Sequence, residues 1–187
     1  MRVCWAVLIS GRGSNLSALL DYPDEIPVSI VVSSKAGVDG LLKARRAGVP
    51  TLVLERKIDW PGLTALLRAS GVTHICLAGF MRIVPAAFVA EWRGHIVNLH
   101  PSLLPKYPGL ESIAVAHAAG DEIGVTVHEV DEGVDTGRVI LQRRSLLSDE
   151  ARAYPLALAE FMVHVTEQRL LTRVVRTLSS GFLGGPR

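Results

Sequence analysis

Residues 3–16 read VCWAVLISGRGSNL. The first seven are an unbroken apolar run containing Val3, Val7 and Ile9, without the polar alternation of a half-solvated strand. A short run of this kind suits a strand covered on both faces, as in a parallel sheet flanked by helices. Glycines and polar residues at 10–15 end it, and Leu16, Ala18, Leu19 and Leu20 resume at helical spacing. A buried strand, a glycine turn and a helix form the opening half of a βαβ unit.

The rhythm continues downstream. Strands are predicted over 28–32, 50–54, 73–78 and 94–99, with helices over 37–48, 60–70 and 85–92. The expected fold is therefore α/β: an open, mostly parallel twisted sheet with helices on both faces. Residues 101–109 hold three prolines and a glycine, which makes them an ordered loop. A short helix is expected over 112–119. Strands over 124–130 and 138–143 then flank a glycine-containing loop, an antiparallel extension in the C-terminal third. Residues 149–178 read as one long helix with Pro155 in its first turns, and the tail from Ser179 reads as frayed.

Composition narrows the class of function. The 187 residues are expected to form one domain, and 49% hydrophobic with 20% charged residues excludes a disordered chain. A net charge of +2 provides no broad field for nucleic acid or an anionic membrane. No apolar stretch approaches the roughly 20 residues of a membrane span, and Arg12 with its glycines truncates any signal-like run. Cys4 and Cys76 lie far apart in apolar runs and read as buried thiols of a reducing compartment. A cytoplasmic protein without a metal site is expected.

Two places carry candidate chemistry. Gly11-Arg12-Gly13-Ser14-Asn15 joins a strand to a helix start, where unpaired backbone N–H groups favour an anion. Leu16 stands where a dinucleotide fingerprint needs its third glycine, and no Gly-Lys-Ser/Thr follows, so a single phosphate monoester is the functional reading. The plainer reading is a glycine turn capped by Ser14. Asn98 and His100 end the fifth strand, and alternation places both side chains on one side of the sheet. An amide donor and an imidazole converging there can stabilise an oxyanion and move a proton. The plainer alternative is a histidine that merely ends a strand. Asp135, in the loop between the last two strands, is a candidate to keep an imidazole cationic or simply a turn aspartate.

These residues extend into longer matches. ISGRGSNL at 9–16, LAGFMRI at 77–83, NLHPSLLP at 98–105, KYPGL at 106–110 and the stretch from Val134 to Gln142 occur in the order and spacing of the folate-dependent formyltransferases. Together they resemble the phosphoribosylglycinamide formyltransferases most specifically. The resemblance implies a Rossmann-like formyltransferase fold and formyl transfer from 10-formyltetrahydrofolate, a cosubstrate, to the amine of glycinamide ribonucleotide. It places the catalytic trio on Asn98, His100 and Asp135. The ribonucleotide would be bound by Gly13, Ser14 and Asn15, with His164 and Glu167 from the last helix. The folate would lie against Met81, Arg82, Ile83 and Val84, Asn98, and Asp131, Glu132, Gly133, Val134 and Asp135. The ribonucleotide half would fall at about 1–100 and the folate side at about 77–187, in a monomer or homodimer.

The chain also departs from that pattern. Glu111, Ser112 and Ile113 stand where relatives carry one or two histidines, and residues 121–124 are one residue short. The segment 54–63 is short too, leaving Arg56 and Lys57 as candidates for the arginine that meets the folate glutamate tail. Related enzymes that act on tRNA or carry a regulatory domain would be longer. A ribonucleotide-binding protein without catalysis is the alternative of a different class.

Overall fold

The structure is a computed structural model, and it describes residues 3–181. The strands are β1 (Trp5–Ile9), β2 (Val28–Ser33), β3 (Thr51–Val53), β4 (His74–Leu77), β5 (Ile96–His100), β6 (Ile123–Glu129) and β7 (Val139–Leu146). The helices are α1 (Ser14–Leu20), α2 (Asp39–Arg46), α3 (Trp60–Ala69), α4 (Ala86–Glu91), α5 (Ser112–Ala118), α6 (Ser148–Ala153) and α7 (Leu156–Ser179).

All five residues of β1 are buried, which explains its unbroken apolar run. Its side chains alternate between two cores. Trp5, Val7 and Ile9 join Leu16, Leu19, Val163, Leu171 and Val175 from α1 and α7 on one face. Ala6 and Leu8 join Leu63 and Leu67 of α3, with Phe88 and Val89 of α4, on the other. Burying a Leu or Val side chain fully is worth about 1.5–3 kcal/mol, so helices on both faces stabilise this strand.

The strand order is β3-β2-β1-β4-β5-β6-β7. Strands β1 to β5 pair in parallel, and β6 and β7 add on antiparallel. From β1 the chain steps outward to β2 and β3, then crosses back to β4 and β5. This divergence leaves a crevice at the carboxyl ends of β1 and β4, the usual ligand position in an open α/β sheet. One hydroxyl ties the crevice together. Ser10 Oγ accepts from Met81 N–H at 2.8 Å, in the turn after β4, and lies 2.6 Å from Ser34 Oγ after β2.

Three expectations are corrected. The predicted helix over 149–178 is two helices, α6 and α7, because Tyr154 is extended at φ −95° and ψ 145°. The Pro155 ring disfavours a helical Tyr154, so the proline opens a new helix instead of lying inside one. Strand β7 continues to Leu146, three residues past the predicted end, and Leu146 is buried. Cys4 is only half-buried, with Sγ 2.9 Å from Ser29 Oγ, whereas Cys76 is buried and its thiol pKa is pushed up to about 12 by desolvation. Of the tail read as frayed, Ser179 ends α7, and residues 182–187 lie outside those described. No helix among the described residues is long and apolar enough to cross a membrane.

Candidate active site

Strand β5 ends at the crevice with Asn98 and His100 on the same side. The antiparallel register sets His128 opposite Asn98 and Thr126 opposite His100. The connection from β6 to β7 brings Asp135 back over this end, in the left-handed region at φ 55°. Asp135 Oδ2 lies 3.3 Å from His100 Nδ1 and accepts the Gly109 N–H at 2.9 Å. Its Oδ1 accepts from Asn98 Nδ2 at 3.3 Å and lies 3.5 Å from His128 Nε2. The trio proposed from sequence therefore meets around one carboxylate.

Burial alone would raise the Asp135 pKa. The bond to His128, the Gly109 N–H and the His100 charge outweigh it, so the carboxyl sits below its usual range. His100 is 4% exposed, and its Nε2 lies 2.8 Å from the Tyr107 carbonyl oxygen. Both of its ring nitrogens thus face oxygen acceptors. The loop bearing Tyr107 is held from below. Thr126 Oγ1 donates to Ser102 O at 2.7 Å and accepts from Leu104 N–H at 3.2 Å and Gln142 Nε2 at 2.9 Å.

The second candidate group assembles across the chain. Gly13 takes φ 67°, and a Cβ there would lie 2.7 Å from the Gly40 Cα. Ser14 does not cap α1. Its side chain makes no cap bond and is exposed, because Gly13 holds the cap position and its carbonyl receives Ser17 instead. Asn15 is buried and its Nδ2 donates to Glu167 Oε2 at 3.3 Å. His164 Nδ1 reaches the same oxygen at 2.9 Å. That bond raises the His164 pKa against the opposing effect of burial. Gly13, Ser14 and Asn15 therefore stand beside His164 and Glu167, with Asn15 Oδ1 buried and unpaired among the described residues.

On the other side of the crevice, Met81, Ile83 and Val134 are exposed apolar side chains, while Val84 packs partly into the core under α3 and α4. Arg82 Nη2 donates to Arg56 O at 2.9 Å, so it fixes the backbone of the short turn that carries Arg56 and Lys57. Asp131 Oδ1 accepts from Gly133 N–H at 3.1 Å and Thr136 Oγ1 at 2.7 Å, which closes the 131–136 loop. Glu132 is not brought to the trio, because its carboxylate is paired on the surface with Arg93 at 3.0 Å. Among the described residues no three His, Cys, Asp or Glu side chains are grouped to hold a metal ion.

A family model described as "Formyl transferase" matches residues 1–175. The chain belongs to the formyl transferase family. Among its members, the phosphoribosylglycinamide formyltransferase of Haemophilus influenzae is 40% identical, with 88% of each chain covered. The solved phosphoribosylglycinamide formyltransferase of Anaplasma phagocytophilum superposes with a TM-score of 0.89 at 35% identity, covering 97% of this chain and 89% of that one. A trifunctional purine biosynthetic protein adenosine-3 of Drosophila pseudoobscura pseudoobscura is 44% identical over 95% of this chain. The chain spans 14% of that longer relative.

Within this formyl transferase fold, sequence reading missed His128. It is 2% exposed, 3.1 Å from Asn98 Nδ2, and bonded through Nδ1 to Glu129 O at 2.8 Å. The available signal was the alternation of Val125 and Val127 with Thr126 and His128 along β6, but only the register with β5 shows that His128 faces Asn98. At the departure around Glu111, that residue adopts φ 58° just ahead of α5, and Ser112 Oγ donates to Pro101 O at 3.3 Å.

Proposed function

We propose that the chain is a phosphoribosylglycinamide formyltransferase, transferring a formyl group from 10-formyltetrahydrofolate to the amine of glycinamide ribonucleotide in purine biosynthesis. The observation that carries this reading is the meeting of Asn98, His100 and Asp135 at the end of β5, beside the glycine loop. The likeness to phosphoribosylglycinamide formyltransferases along most of both chains supports the choice of substrates.

In this reading the substrate amine attacks the formyl carbon. The new C–N bond forms as charge moves to the formyl oxygen, giving a tetrahedral intermediate. His100 is already presented to an oxygen acceptor through Nε2, and that donor is shared with the formyl oxygen as charge develops. Asn98 supplies an amide donor from the same side. Asp135 keeps the imidazole cationic and organises proton movement from the attacking amine toward the folate nitrogen, whose bond to the formyl carbon breaks. Gly13, Ser14 and Asn15, with His164 and Glu167, hold the ribonucleotide. Met81, Arg82, Ile83, Val84 and the loop from Asp131 to Asp135 hold the folate, with Glu132 on its outer rim. The two halves work as one domain, monomeric or homodimeric, in the cytoplasm.

The test is direct. Protein mixed with glycinamide ribonucleotide and 10-formyltetrahydrofolate should release tetrahydrofolate and formylated ribonucleotide in equal amounts. No product from this substrate pair would overturn the reading, and ribonucleotide binding without turnover would favour the non-catalytic binding protein.

A further inference from the structure

The end of α1 and the second half of α7 enclose a surface hollow of about 540 Å³. Asp21, Tyr22 and Glu25 form one wall, and Arg169, Arg173 and Arg176 form the other. None of these belongs to the catalytic trio, the ribonucleotide cradle or the folate side. Arg176 Nε donates to Glu25 Oε2 at 2.7 Å, and its guanidinium lies over the Tyr22 ring, 4.8 Å from the centroid. Glu25 thus cancels the Arg176 charge and pins its plane. The stack keeps an open surface, with Tyr22 39% exposed and the Arg176 side chain 42% exposed. A fixed stack of this kind is a platform for a further flat ring. Asp21 stands beside it, exposed and without an ion pair among the described residues, as an acceptor for an amino group.

The opposite wall is cationic. Arg169 and Arg173 are exposed, one turn apart on α7, and neither forms an ion pair among the described residues. Like charges at this spacing repel, so the pair is destabilising on its own. Both also line a second hollow of about 230 Å³ toward β7, where the exposed and unpaired Arg143 joins them. The adjacent Arg144, by contrast, is neutralised by Glu122 at 3.1 Å. With only +2 on the whole chain, three uncompensated guanidinium groups make a local ridge. Guanidinium groups take phosphates through paired, charge-assisted bonds. A run of two or three phosphates matches this row better than a single one does. Tyr22 is the one aromatic ring of the hollow, which gives a single stacking place and not the succession that a nucleic-acid strand uses. We propose that the hollow binds a nucleoside di- or triphosphate with an amino-bearing base. The base stacks on the Tyr22–Arg176 pair beside Asp21, and the phosphates lie along Arg169, Arg173 and Arg143. This site is separate from formyl transfer and does not depend on it.

The experiment is a calorimetric titration of the full chain with ATP, adenosine and inorganic tripolyphosphate. ATP should bind once per chain, and no saturable binding below about 1 mM would overturn the proposal. Adenosine and tripolyphosphate should each bind at least 10-fold more weakly than ATP. Tripolyphosphate binding as tightly as ATP would remove the base platform and overturn it. Arg169→Gln/Arg173→Gln, changed only at exposed positions, should keep its thermal midpoint and weaken ATP about 10- to 100-fold, the size expected for charged hydrogen bonds. Tyr22→Leu should weaken ATP but not tripolyphosphate. Unchanged ATP affinity in the double variant would overturn the proposal. Saturating glycinamide ribonucleotide should leave ATP binding unaltered, whereas displacement would place ATP at the glycine loop and overturn it. A single-stranded oligonucleotide that binds more tightly than ATP, and more tightly with length, would make the ridge a nucleic-acid surface and also overturn it. Formyl transfer by the double variant should stay within twofold of wild type, and a larger loss would tie these arginines to the crevice instead.

Discussion

At the residue scale, the site turns on one carboxylate with four neighbours. Asp135 touches Asn98, His100, His128 and the Gly109 N–H, so a change at any of them alters what orients that carboxylate. Replacing His100 with Ala should lower turnover by about 100-fold or more, the usual loss for an acid–base or oxyanion donor. Ribonucleotide affinity, measured by calorimetry, should change little, because the glycine loop lies on separate elements. A His100→Ala enzyme with near-normal turnover would remove His100 from the mechanism. Asn98 and His100 were legible in the sequence because two residues at the end of a buried strand share a side. The contact with Asp135 was not, since it depends on a left-handed turn closing a loop 35 residues later. His128 was hidden for a related reason: its partner is fixed by strand register, which alternation within one strand does not reveal.

Elements place these residues, and small side chains let the elements approach. Helices α1 and α2 meet through Gly13 and Gly40, where a Cβ on Gly13 would lie 2.7 Å from the other glycine's backbone. Gly13 also holds φ 67°, so Gly13→Ala suffers both a clash and left-handed strain. A loss of roughly 1–3 kcal/mol is expected in chemical denaturation, together with weaker ribonucleotide binding. A Gly13→Ala protein as stable as wild type would show that the two helices separate freely. Most elements were legible because β1, β2, β4 and β5 are apolar runs divided by glycine turns. The division of α6 from α7 was not, because apolar spacing runs on across Pro155 while the decisive constraint acts on the backbone of Tyr154 alone. The end of β7 was missed because Arg144 and Ser145 do not look like strand interior, yet the pairing with β6 runs on as far as Leu146.

Over the whole molecule, the crevice sits at the carboxyl edge and a histidine pair at the opposite one. His74 stacks on Trp5 at 5.1 Å between ring centroids, and its Nε2 lies 3.3 Å from His95 Nδ1. Burial, and then the nearby His95, lower the His74 pKa from 6.5 to about 4. The unfolded chain therefore binds more protons between these values. Stability from this group is complete above pH 6.5 and is lost as pH falls toward 4. His74→Gln should flatten that part of the stability profile, measured by urea midpoints at pH 7.5, 5.5 and 4.5. An equally steep decline in the variant would assign the acid sensitivity elsewhere. The α/β class and both helical layers followed from the sequence, whereas the strand order needed the crossover from β3 back to β4, which leaves no local mark. One long connection has a consequence for how the protein comes into being. Asn15 leaves the ribosome early, but its partner Glu167 is made 152 residues later, and Trp5 then bonds Ser179 at 2.8 Å. The nascent chain thus carries an unfinished cradle until the last helix emerges, so translation that stops short of Glu167 yields a polypeptide without that half of the site.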